Sequence, residues 1–220
     1  YALDFVKHAS GSTATKIQQV WNSLPSQLAR ENNKFIYKLI KSGARAREYE
    51  EAIQWLVQAG LVYKVSRVET PSIPLKAYED ISAYKLYVFE TGLLIRLAGL
   101  DPKAFIDADK IFKEFKGALA ENFVAQSLNA IMNNPPYYWT SDGKAEVDFV
   151  IEHSNHCIPL EVKSGEATKA KSLAVYKKLY QPKLRIRISN LNLDFSDDLL
   201  NIPLFYSDKV EELVDKVLNE

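Results

Sequence analysis

Residues 146–165 read Glu-Val-Asp-Phe-Val-Ile-Glu-His-Ser-Asn-His-Cys-Ile-Pro-Leu-Glu-Val-Lys-Ser-Gly. Two runs rich in Val, Ile and Phe flank the polar segment His153–His156, the pattern of a β-hairpin. Each run nevertheless carries charge: Glu146 and Asp148 on the first, Glu161 and Lys163 on the second. Side chains alternate faces along a strand with a period of two. Glu146 and Asp148 therefore share a face, with Val147 and Phe149 on the other. By the same rule Glu161 and Lys163 share a face while Leu160 and Val162 point into the core. If the two strands pair, Asp148, Glu161 and Lys163 converge on one patch.

Upstream, helical spacing dominates up to about residue 60. Ile17, Val20, Trp21 and Leu24 recur on one face after Ser10–Thr15, where Thr13 or Thr15 is a candidate N-cap. Pro25 opens a short further helix. A third is expected over residues 34–43, stopped by Gly43, and a fourth over 45–60, stopped by Gly60, with Tyr49, Ile53, Leu56 and Val57 inward. Two strand-like runs follow, 61–68 and 83–90, separated by a loop bearing Pro71 and Pro74. Helices leading into a two-stranded ribbon outline a winged helix-turn-helix. From about residue 105 the order changes to a long helix (109–132), a short strand near Tyr138, the hairpin, a basic helix, the strand Lys183–Ser189, a further strand near Ile202 and a last helix. That order describes an α/β domain with a mixed sheet. The expected division is a winged-helix domain over 1–100 and a second domain over 101–220.

The chain has 220 residues, 47% hydrophobic and 25% charged, with a formal net charge of zero. That is ordinary globular material with ample apolar content for a core. A single cysteine, Cys157, excludes an intramolecular disulfide and fits a reducing, cytoplasmic setting. No apolar run is long enough for a membrane span, so no membrane association is expected. The chain opens with Tyr1 and its one methionine is Met132, which reads as a fragment of something longer.

Hard Mg²⁺ takes one or two carboxylates together with water and phosphate oxygens, so the Asp148–Glu161 pair suits it, or Mn²⁺. The Val162 carbonyl is a further candidate ligand. Lys163 beside them could hold or deprotonate an attacking water and offset developing phosphate charge. The spacing of Asp148 from Glu161-Val162-Lys163 resembles the signature of the PD-(D/E)XK nuclease superfamily. In that superfamily a helix before the sheet supplies a further acid, and Glu121, in Gly117–Gln126, resembles it. More narrowly, Gly117–Gln126, Glu146–Ile151 and Ile158–Gly165 resemble the C-terminal domain of a group of prokaryotic AAA+-type ATPases. Residues 42–62 and 74–94 resemble the winged-helix region that precedes it there. The resemblance implies a restriction-endonuclease-like three-layer fold, α/β within an overall α+β chain. It also implies catalytic Glu121, Asp148, Glu161 and Lys163, with a metal on Asp148, Glu161 and Glu121. An N-terminal ATPase domain would be its partner in cis. Two features depart from the pattern: Val147 replaces the signature proline, and no phosphate-binding loop occurs, since Gly143-Lys144 is followed by Ala145. No ATPase activity is therefore expected of these 220 residues.

Six basic residues are candidate nucleic-acid contacts. Arg45 and Arg47 open the helix that would enter a major groove, with Lys38 and Lys41 on phosphates. Glu48, Glu50 and Glu51 follow at once, and packing against a neighbouring domain or subunit is an equal alternative. Lys169 and Lys171 lie just beyond the Glu161–Lys163 strand, where a phosphate backbone would lead to the metal. Lys177, Lys178, Arg185 and Arg187 extend that basic run, with Lys177 and Lys178 better read as a solvated helix face. His153 and His156 are turn residues with too few neighbours for zinc. The leading expectation is Mg²⁺-dependent phosphodiester hydrolysis of DNA. The alternative is an inactive module that binds DNA or regulates its ATPase. A homo-oligomer is open under either.

Overall fold

The computed structural model describes residues 9, 11–30, 34–101, 113–142, 145–165 and 171–219, with the side chains of 113 and 114 excepted. Lys169, one of the candidate contacts, lies outside the described residues. One mixed sheet of eight strands, in the order β2-β1-β3-β4-β5-β6-β8-β7, organises the chain. Its strands are β1 (Val62–Val68), β2 (Glu79–Val88), β3 (Tyr137–Thr140), β4 (Glu146–His153), β5 (His156–Lys163), β6 (Arg185–Ser189), β7 (Asp194–Ser196) and β8 (Leu199–Pro203). Among the described residues the α-helices are α1 (Gly11–Leu28), α2 (Ala46–Gln58), α3 (Thr91–Leu97), α4 (Lys113–Ile131), α5 (Lys171–Tyr180) and α6 (Val210–Asn219).

The N-terminal helices differ from expectation where backbone groups find other partners. Neither Thr13 nor Thr15 caps α1, because the helix begins at Gly11 and the Thr15 hydroxyl donates to the Gly11 carbonyl, 3.1 Å away. Pro25 lies inside α1 and does not start a new helix. Its carbonyl still accepts from the Ala29 amide at 3.0 Å, and Ile17, Val20, Trp21, Leu24 and Leu28 form one buried stripe on both sides of it. Residues 34–43 form only a 3-10 turn, Tyr37–Leu39. The Gln27 side chain claims both backbone groups of Ile36, at 2.9 and 3.0 Å, and the Phe35 amide donates to the Tyr84 carbonyl at 2.8 Å. Those bonds take backbone groups that a longer helix would need. Helix α2 does end as expected: Gly60 adopts φ +68°, and the Leu61 amide reaches back to the Leu56 carbonyl at 3.0 Å.

Strands β1 and β2 form the expected antiparallel ribbon, yet the ribbon is continuous with the rest of the sheet. Strand β1 pairs in parallel with β3, Arg67 opposite Tyr138 and Val68 opposite Trp139. Strands from both sides of residue 100 thus share one sheet. The β4–β5 hairpin turns at Ser154 and Asn155, both at positive φ, the twist that a two-residue hairpin loop favours. Strand β7, which among the described residues pairs only with β8, is a fully exposed edge that periodicity does not reveal.

Both faces of the sheet are covered. One apolar cluster joins residues of α1, α2, α4 and α6 to Phe149, Ile151, Ile158, Leu160, Val162, Ile186, Ile188 and Ile202. A smaller one joins Leu173 and Tyr176 of α5 to Tyr137, Trp139, Val147 and Val150. Trp139 meets Tyr176 and Tyr180 edge-on at 5.2 and 5.5 Å. Val147 and Phe149 therefore do not share a core as strict alternation requires. The β3–β4 pairing shifts register between Tyr137 and Trp139, which resets the pattern beside Asp148.

Candidate functional site

Hairpin pairing sets the geometry. Phe149 lies opposite Leu160, so Asp148 and Glu161 each neighbour a paired residue, while Glu146 lies opposite Thr140 of β3. Asp148 is fixed by the Val162 amide, which donates to Oδ2 at 2.7 Å. Glu161 is only 3% exposed, so it is no surface partner of Lys163. Its Oε1 accepts from Lys163 Nζ at 2.5 Å, while its buried Oε2 has no hydrogen-bond partner among the described residues.

Helix α4 brings Glu121 to the same region. Its Oε2 accepts from the Tyr87 hydroxyl at 3.2 Å and lies 4.0 Å from Lys85 Nζ. Lys85 is completely buried, with Nζ 2.6 Å from Glu146 Oε1 and 5.0 Å from the centre of the Tyr138 ring. Asn122, next to Glu121, clips α4 to β2: its Oδ1 accepts from the Val88 amide at 2.8 Å and its Nδ2 donates to the Val88 carbonyl at 3.0 Å. The lysine and the tyrosine are thereby held against Glu121.

Four carboxyl groups, Glu121, Glu146, Asp148 and Glu161, thus meet two ammonium groups, Lys85 and Lys163. Burial is the main cause of the shifts that follow. It pushes Glu161 up to about 8 and Glu121 up to about 7; in both the Asp148 charge adds to the rise, against Lys163 for the first and Lys85 for the second. Asp148 is also raised by burial, although Lys85 and the Val162 amide oppose it. Burial alone would lower Lys163, but Glu161, Asp148 and Glu121 more than reverse it. Lys85 follows the same balance, with the Tyr87 oxygen and the carboxylates of Glu146, Glu121 and Asp148 holding it well up.

Among the described residues no three His, Cys, Asp or Glu side chains are grouped to hold a metal ion. Glu121 Oε2 faces Tyr87 and Lys85, and Asp148 and Glu161 are the two further expected ligands. Two are enough for Mg²⁺, which completes its shell with water and phosphate oxygens. Glu161 Oε2, buried without a hydrogen-bond partner among the described residues and with Asp148 and Glu121 acting on the same carboxyl group, fits such an ion.

The other candidates are dispersed. Lys38, Lys41, Arg45 and Arg47 are exposed around the start of α2, beside exposed Glu48, Glu50 and Glu51. Lys171 is exposed at the first position of α5. His153 anchors the hairpin to α6, its Nε2 lying 2.6 Å from Asp215 Oδ1. Arg185 and Lys177 are committed to Asp198, Arg185 by two contacts of 2.6 and 2.8 Å and Lys177 by one of 2.9 Å.

That clamp carries a pH signature. Hydrogen bonds from Arg185 first, and from Lys177, hold Asp198 down to about 2 from its ordinary 3.8, with burial working the other way. A carboxyl depressed in the folded state contributes stability above its unfolded value and loses it as pH falls from 3.8 toward 2. Asp198→Asn should melt about 2–4 °C lower at neutral pH and show a flatter acid limb. Thermal melts of both proteins between neutrality and pH 2 check this; parallel acid limbs would refute it.

Lys85, Tyr87 and Asn122 are the site residues that sequence reasoning missed. The signal was a lysine inside an otherwise apolar run, Ala83–Val88, where a buried ammonium requires acids elsewhere in the chain.

With the site in view, comparison with known proteins gives two matches to family models. Residues 116–205 match a domain of unknown function, DUF4143. That domain is found in AAA-ATPase-associated proteins. Residues 1–104 match a second domain of unknown function, DUF8612. Glu121, Glu146, Asp148, Glu161 and Lys163 fall in the DUF4143 match, and Lys85 and Tyr87 in the other. Uncharacterized proteins of Mycobacterium bovis and Mycobacterium tuberculosis are each 36% identical over 80 residues, which is 36% of this chain and 17% of each relative. The matched stretch is thus about a sixth of the curated relatives' length. No solved structure matches the chain. Among the described residues no helix is long and apolar enough to cross a membrane.

Proposed function

We propose that this chain is the nuclease-like part of an AAA+-type ATPase, and that the acidic cluster hydrolyses a DNA phosphodiester with one bound Mg²⁺ or Mn²⁺. The observation that carries the reading is the meeting of Glu121, Asp148, Glu161 and Lys163 from one helix and two strands, with a buried Glu161 oxygen left without a partner. On this reading β4 to β6 with α4 and α5 form the restriction-endonuclease-like layer, and α1, α2 and the β1–β2 ribbon a winged-helix unit.

Asp148 and Glu161 would hold the ion, which supplies Lewis-acid polarisation of the phosphate and an acidified water. Val162 fixes the Asp148 carboxylate through its amide, so that ligand is positioned before any ion arrives. Lys163 has its pKa raised and remains an ammonium at neutral pH. Of its two expected roles, it therefore suits holding the water and offsetting phosphate charge better than taking a proton. Lys38, Lys41, Arg45, Arg47 and Lys171 are exposed and available to a phosphate backbone.

The chain, incubated with Mg²⁺ or Mn²⁺, is expected to nick supercoiled plasmid DNA, and Asp148→Ala to abolish the nicking. Cleavage that survives both Asp148→Ala and Lys163→Ala dismisses the assignment. A second reading draws on the Lys163–Glu161 and Lys85–Glu146 pairs, which partly satisfy the cluster without a metal. The chain would then be an inactive DNA-binding or regulatory module of its ATPase, marked by salt-dependent DNA binding with neither cleavage nor Mn²⁺ uptake.

A further inference from the structure

We propose that Lys85 is a built-in cation that neutralises the Glu121–Glu146 side of the cluster, so that the site takes a single divalent ion at Asp148 and Glu161 and never a pair. The inference rests on the cation reading of the cluster given above and goes beyond it, to the number of ions and to the residue that sets it.

Two-metal hydrolytic sites place their ions about 3.5–4 Å apart and need carboxylates enough to face both. Four carboxyl groups in one cluster would provide them. Here half of that set is already engaged by Lys85, 2.6 Å from Glu146 Oε1 and 4.0 Å from Glu121 Oε2. Lys85 is 0% exposed and comes from a different segment, the edge strand β2. Its ammonium lies at ion-pair distance from Glu146, yet among the described residues no contact has the geometry of a hydrogen bond. It therefore acts as a point charge amid carboxylates and the Tyr138 ring, much as a bound ion would. On the other side of the cluster, Glu161 Oε2 is the buried oxygen without a partner.

The position of Lys85 is enforced from outside the cluster. The two Asn122 hydrogen bonds lock Val88 of β2 to α4, and the Tyr87 hydroxyl donates to Glu121. The backbone that carries Lys85 is thereby fixed against α4, and its ammonium is completely buried. Lys85 is thus a positioning residue. It also makes the site a joint product of the segments matching the two family models.

Counting bound Mn²⁺ on the whole chain, by calorimetric titration and by the electron-spin signal of free Mn²⁺, tests this, with circular dichroism reporting the fold. The parent should bind one ion per chain. Glu161→Gln should lose that ion, Glu146→Gln should keep it, and Lys85→Met should bind two. Two ions on the parent overturn the proposal, as does loss of the ion in Glu146→Gln with retention in Glu161→Gln. One ion on both the parent and a folded Lys85→Met overturns the role of Lys85 while the cation reading stands. No ion on either overturns the cation reading and this inference together. Should Lys85→Met fail to fold, the Glu146→Gln and Glu161→Gln comparison decides.

Discussion

Glu161→Gln is expected to remove divalent-ion binding and to cut DNA nicking about 10³-fold, while leaving the metal-free protein at least as stable as the parent. The two halves of that result come from one physical fact. Glu161 is a carboxyl group 3% exposed, beside Asp148 and Glu121, and one of its oxygens has no hydrogen-bond partner among the described residues. Burying such a group costs free energy unless a proton or a cation balances it. Burial is the main cause that pushes its pKa up to about 8. Glutamine has the same shape and can stay buried without a proton or a counterion. It still offers an oxygen to Lys163, so the geometry of β5 survives. What it lacks is the charge that would attract an ion. Mn²⁺ titration, nicking assays and thermal melts in chelator measure the three quantities on one pair of proteins. A variant that binds Mn²⁺ as the parent does would remove Glu161 from the metal site. A variant that loses binding only because it unfolds would show Glu161 to be structural. Lys163→Met offers a graded comparison, since loss of a group that positions water costs roughly 10²–10⁴-fold without removing a ligand.

Much of this arrangement was legible along the chain, for reasons that differ from element to element. Strands β4, β5 and β6 announce themselves because short runs rich in Val, Ile and Phe or Leu are bounded by polar turn residues, although alternation breaks in β4 between Val147 and Phe149. The hairpin brings Asp148 to the Val162 amide, next to Glu161, at 2.7 Å. Helix α2 was equally readable, since Gly60 stops it by a backbone conformation that few other residues adopt. The misreadings share a cause: a distant group takes over a backbone or a charge. Residues 34–43 have a helical pattern, but the Gln27 side chain removes Ile36 from any helix. Pro25 looks like a helix start, yet the buried stripe from Ile17 to Leu28 carries α1 through it. The junction of β1 with β3 depends on one short parallel pairing between segments far apart in the chain, which no local pattern encodes. Lys85 is the strongest instance. Its neighbours in sequence describe an ordinary strand, and its acids, Glu121 and Glu146, come from α4 and β4.

Removing that lysine should cost the metal-free protein about 3–5 kcal/mol, more than the loss of the Asp198 clamp. The ammonium is completely buried and paired with Glu146 at 2.6 Å. Lys85→Met keeps most of the side chain's volume, so the loss comes chiefly from electrostatics and little from packing. Without Lys85, Glu146 and Glu121 lose the positive charge that partly balances them, and both remain near Asp148. Such acids must then take up protons or draw in water, and either destabilises the folded state. Urea unfolding in chelator measures the cost. The double variant Lys85→Met/Glu146→Gln should recover the larger part of it, because replacing both partners by neutral groups of similar shape leaves no isolated buried charge. Mn²⁺ added to the single variant should restore stability in proportion to its binding, by mass action on the folded state. Mn²⁺ should give the double variant less, since one of the two vacated carboxylates is gone. A single variant as stable as the parent in chelator would mean that the ammonium contributes no net stabilisation. Lys85 would then be a tolerated charge and not the element that holds the acidic cluster together.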